Sequence, residues 1–159
     1  MEQKNKYIYQ DLIENQWYKF PVCLPVVNMM NTKYVITGNI ATDTIANPEA
    51  LGNVWFIKGI EYKKGPAEVM SSLSNFNPKD TAIIEEKDKL NELTAIVYDS
   101  AATINLVENK NDIVTYSSNA SQKQFAVFSE VYYKLGWKAY IDEVESPIIK
   151  TNYVLRGLV

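Results

Sequence analysis

The stretch Trp137-Lys138-Ala139-Tyr140-Ile141-Asp142 alternates in side-chain character. A period of two in a run rich in aromatic and β-branched residues is the pattern of a β-strand. Its pleat sets Trp137, Ala139 and Ile141 on one face and Lys138 and Tyr140 on the other. The run Phe125-Ala126-Val127-Phe128-Ser129 reads the same way, with Phe125 and Val127 pointing inward. From Leu93 onward such runs recur about every ten residues. They are separated by Asn109-Lys110-Asn111-Asp112, Ser117-Ser118-Asn119, Leu135-Gly136 and Glu145-Ser146-Pro147. Short strands at that spacing, with turn residues between them, predict an antiparallel β-sandwich in the C-terminal half.

The N-terminal half reads differently. Ile8, Leu12, Ile13 and Trp17 recur near the helical period, which predicts a short helix within Tyr7–Trp17. A second helical turn is expected through Pro25–Met29, because proline fits the first position of a helix. Extended chain follows at Lys33–Ile36, then a surface connection over Asn39–Glu49, where Thr, Asn and Asp cluster around the turn Asn47-Pro48. Val54–Ile57 has strand composition. Pro66 opens a helix with Val69, Met70 and Leu73 on one face, closed by the turn Asn77–Asp80, and Ala82–Ile84 is a short strand. The mixed-charge run Glu85–Lys89 is expected to be a solvated loop. The fold class is therefore α+β and predominantly β, with an N-terminal α+β portion over 1–92 and sandwich strands over 93–159 of the same domain.

Composition narrows the chemistry. The chain has 159 residues, of which 47% are apolar, enough for one core. Its net charge of -3 is spread without a basic block, which argues against nucleic acid as a partner. There is no histidine, so Ser-His-Asp and Cys-His nucleophile systems and His-ligated zinc are excluded. The single cysteine, Cys23, sits in an apolar run and reads as a small buried thiol. The longest candidate for a membrane span, Phe20–Val27, is broken by Pro21 and Pro25. The N-terminus carries no signal-peptide pattern.

Three stretches of the C-terminal third belong together: Ser129–Tyr133, Gly136–Asp142 and Asn152–Gly157. With the earlier blocks Met29–Ile36 and Asn47–Phe56, they resemble the C-terminal extracytoplasmic region of the YfhO family of bacterial multi-pass membrane proteins. The blocks occur in the family's order and span most of the chain. The resemblance implies a position on the extracytoplasmic face of the bacterial cytoplasmic membrane, as one part of a larger membrane protein. It also implies a link to glycosyl transfer onto envelope polymers, with the chemistry in membrane helices outside this chain. The partners it implies are the protein's own transmembrane region and an envelope glycan or lipid-linked sugar. This chain departs from the family pattern at Lys134-Leu135, where a proline is usual before Gly136, and at Glu143, where glycine usually follows the Asp142 position. It also stops at Val159, before an expected final strand, which suggests an incomplete sheet edge.

One dense set of aromatic and charged residues suits a shallow saccharide site: Glu130, Tyr132, Tyr133, Trp137, Tyr140, Asp142 and Arg156. Aromatic rings stack on sugar C–H faces while carboxylates accept from hydroxyls. The plainer reading makes Trp137 a core residue, and adjacent Tyr132 and Tyr133 must face opposite ways along a strand. Glu85, Glu86 and Asp88 are interrupted by Lys87 and Lys89 and lack a calcium-loop pattern, so no metal is expected there. No catalytic residue and no cofactor is assigned. The alternative to sugar handling is a docking module for another envelope protein.

Overall fold

The computed structural model describes residues 24–36, 44–91, 93 and 96–159. The helix expected within Tyr7–Trp17 and the thiol of Cys23 lie outside the described residues. Helix α1 (Leu24–Met29) buries Val26, Val27 and Met29. It ends at Asn31, whose φ is 54°. Asn31 N donates to Asn28 O and Thr32 N donates to Val27 O, satisfying carbonyls that the last turn leaves free.

Strand β1 (Tyr34–Ile36) pairs antiparallel with β2 (Thr44–Ala46). Part of the expected Asn39–Glu49 connection is therefore a strand, fully exposed along its length. Next come β3 (Val54–Phe56) and β4 (Gly59–Lys63). Helix α2 (Pro66–Ser72) buries Val69, continues as a 3-10 turn with Leu73 buried, and packs Met70 against the core, as the sequence predicts. It carries the chain from β4 to β5 (Thr81–Glu85), which run parallel and so need a crossover of this kind. Then follow β6 (Thr103–Asn109), β7 (Val114–Asn119), β8 (Ala126–Val131), β9 (Ala139–Ile141), β10 (Val144–Ser146), β11 (Ile149–Thr151) and β12 (Leu155–Leu158).

A β-rich α+β fold results. Its centre is a six-stranded sheet in the order β3-β8-β12-β11-β5-β4, drawn from both halves of the sequence. Three two-stranded ribbons, β1–β2, β6–β7 and β9–β10, lie outside it. Phe125, just before β8, and Val127 on it point into the main core, together with Val26, Met29, Val69, Leu73 and Leu155. Ala126 and Phe128 are buried as well, and Tyr116 of the β6–β7 ribbon meets Phe128 edge-on with ring centroids 4.8 Å apart. Here the sheet is covered on both faces.

The tightest point of the sheet is Gly157, where an added Cβ would collide with the Phe125 ring and lie 2.6 Å from Thr151 Oγ1. Beside it, the β11–β12 connection carries Asn152 and Tyr153 at positive φ. Asn152 is fully buried, and it pairs with β5 through both main chain and side chain. Its N donates to Ile83 O at 2.8 Å and its Oδ1 accepts from Ile83 N at 2.7 Å. The side chain thus supplies an acceptor that a regular strand residue would have offered from its backbone.

Two sequence expectations are corrected. Glu85 is no loop residue: it ends β5 and is only 5% exposed. Lys87 Nζ at 2.5 Å and Lys150 Nζ at 3.7 Å face its carboxylate, so the buried charge is compensated. Trp137, Ala139 and Ile141 do not line a core. Among the described residues strand β9 pairs with β10 alone, leaving Ile141 exposed and Trp137 only partly covered.

Candidate functional site

Three of the five segments that carry the sequence resemblance, Met29–Ile36, Asn47–Phe56 and Ser129–Tyr133, meet at Ser129 on β8. Ser129 Oγ lies 2.6 Å from Gly52 O and 3.0 Å from Met29 O, and its N donates to Asn53 O at 2.9 Å. Asn47 closes the same junction, with Nδ2 donating to Asn28 Oδ1 and Thr32 O, each at 2.9 Å. The hydroxyl of one residue in the strand thus ties α1 to the loop before β3.

At the next residue, Glu130, the predicted cluster begins. The pairing of β12 with β8 slips between Leu155 and Arg156, the irregularity that re-aims a side chain in a sheet. Arg156 Nε donates to Val131 O at 3.0 Å, and its guanidinium carbon sits 4.4 Å from the centre of the Trp137 ring. Glu130 Oε2 approaches Arg156 Nη2 at 4.0 Å. Burial lowers the Arg156 pKa from its ordinary value, and Glu130 opposes that shift. Three of the seven candidates, Glu130, Trp137 and Arg156, are therefore brought together.

Tyr116 on β7 belongs to this group and escaped the sequence reading. Its hydroxyl is buried with no hydrogen-bond partner among the described residues. Burial pushes its pKa up to about 12, with Glu130 acting in the same direction and Arg156 against it. The alternation of Val114-Thr115-Tyr116 marks it as inward-facing, but nothing local shows that β7 would cross near Arg156.

The remaining candidates lie elsewhere. Tyr132 is drawn toward the charged run after β5: burial raises its pKa, Asp88 adds to the shift and Lys87 opposes it. Tyr133 is exposed and its ring packs on Gly136. Tyr140 is 57% exposed on β9, opposite Glu145 on β10. Asp142 and Glu143 form the two-residue hairpin turn, both at positive φ (48° and 68°), so Asp142 is accounted for by turn geometry. What remains is a stacked Arg156–Trp137 pair and a set of exposed side chains, Val131, Leu135, Tyr140, Ile141 and Val144. These offer ring faces and apolar contacts. The two carboxylates of the predicted set, Glu130 beside Arg156 and Asp142 in an exposed turn, hold different places in the fold.

Among the described residues no helix is long and apolar enough to cross a membrane. No family model, curated protein or solved structure matches the chain.

Proposed function

We propose that this chain is a non-catalytic extracytoplasmic module of a YfhO-like multi-pass membrane protein. In that role it supports glycosyl transfer to envelope polymers by handling sugar or by bracing the membrane-embedded part. The observation that carries the reading is the junction at Ser129. Met29 from one block that resembles the family, and Gly52 and Asn53 from a second, each bond to Ser129 in a third. The resemblance therefore falls on one folded unit rather than on scattered strands. The Arg156–Trp137 stack and, on the β9–β10 ribbon, the exposed ring of Tyr140 are the surfaces assigned to sugar contact.

The test is a calorimetric titration of the folded protein against envelope glycans and lipid-linked sugar head groups. Saturable binding lost in Tyr140→Ala is the expected result. Silence across the panel from folded protein removes the sugar-handling role.

A docking module is the second reading. It is favoured by Leu135, 83% exposed in the turn before β9, and by Ile141 and Val144, both exposed on a ribbon that pairs with no other strand among the described residues. Silence in the titration leaves this reading in place.

A further inference from the structure

A shallow depression of about 330 Å³ lies between the end of α1, β1 and the loop before β3. That is the size at which small-molecule sites begin. Three of its lining residues, Ala46, Ala50 and Gly52, are small. Gly52 adopts φ 83°, which glycine takes without strain, and a Cβ placed there would meet nothing within 4 Å. The main chain is therefore open to close approach from above.

The walls carry three kinds of chemistry. Tyr34, 65% exposed, and Pro48 offer apolar faces. Lys33 is exposed, and its ammonium has no acidic partner among the described residues. Asn31, held at φ 54°, has a buried Oδ1 with no hydrogen-bond partner among the described residues. The terminal amide torsion of asparagine is soft, so a donor arriving in the depression turns that oxygen toward itself at small cost. Asn47 also lines the space, but its side chain is engaged by Asn28, Thr32 and Glu49 and serves to shape it.

The geometry points to a binding site for a small hydroxylated anion, a sugar acid or sugar phosphate, with Lys33 meeting the charge, Asn31 accepting from a hydroxyl and Tyr34 lying against a C–H face. A neutral sugar leaves Lys33 without a partner, and a bare anion leaves the Tyr34 and Pro48 faces empty. None of the lining residues belongs to the Arg156–Trp137 stack or the β9–β10 ribbon, so the inference stands apart from the sugar-contact surfaces proposed above.

An NMR titration of the isotope-labelled protein with glucuronate, glucose 6-phosphate, glucose and inorganic phosphate tests it. Both charged sugars are expected to shift the amides of Lys33, Tyr34, Asn47 and Gly52 saturably. Glucose and phosphate are expected to bind about tenfold more weakly, and Lys33→Gln to cost the charged sugars a similar factor. Because Lys33 is exposed, that variant keeps the fold, which the unchanged remainder of the spectrum verifies. Tyr140→Ala is expected to leave the binding intact. Absence of saturable shifts with either charged sugar overturns the inference. So does a shift map centred on Tyr140, undiminished binding in Lys33→Gln, or phosphate binding as tightly as the charged sugars.

Discussion

The central sheet and the β9–β10 ribbon use similar residues to opposite ends. In the sheet, β5 presents Ala82, Ile83 and Ile84 and buries all three completely, because neighbouring strands and helices cover both faces. In the ribbon, Ile141 and Val144 stand directly opposite each other across the hairpin and both remain exposed. Alternation fixes which side chains share a face; it does not fix whether anything covers that face. Stability therefore concentrates where β5, β11 and β12 meet, and surface available for recognition concentrates on the ribbons.

Substitutions sharpen this contrast. Gly157→Ala forces a Cβ against Phe125 and Thr151 in a packed interior, and is expected to cost about 3 kcal/mol in urea unfolding. A loss below that of an exposed-site substitution breaks the contrast at its strongest point. Asn152→Ala removes the acceptor for the buried Ile83 N–H, at an expected cost of about 2 kcal/mol. Trp137→Ala removes the Arg156 stack and is expected to cost about 1 kcal/mol, with amide exchange quickening in β9 and β10 before the sheet.

Glu143→Gly changes the sign. A glycine relieves the left-handed strain at φ 68° and is expected to stabilise by roughly 0.5 kcal/mol, after allowing for the freer unfolded chain. Tyr116 adds a pH dependence. Its folded pKa of about 12 lies above its unfolded value near 10, so its neutral form contributes stability that is fully present below about pH 10. That contribution is lost as pH rises toward 12, and a Tyr116→Phe variant is expected to lose less stability over this window in an alkaline unfolding series.

The legible parts of the fold were local ones. Pro66 and the Val69–Leu73 spacing located α2, and the apolar runs located β3, β5 and β8, because each signal lies within one element. Glu85 misled because the cation that helps to compensate it, Lys150, comes from β11, far along the chain. Of the candidate site, Glu130, Trp137 and Arg156 were legible as a dense set, but their joining depends on a register slip that no sequence pattern announces. Tyr116 and the Lys33–Gly52 depression were missed for the same reason: the ribbons that carry them are placed by tertiary packing.

Placement outside the membrane is the most direct test of the proposed role. The measurement is labelling of the intact protein in living bacteria with a membrane-impermeant maleimide, using Leu135→Cys on a Cys23→Ser background. Leu135 is 83% exposed, so the thiol placed there is reachable from whichever side the module occupies. Labelling in intact cells is the result this account expects. Labelling only after the cells are opened contradicts it.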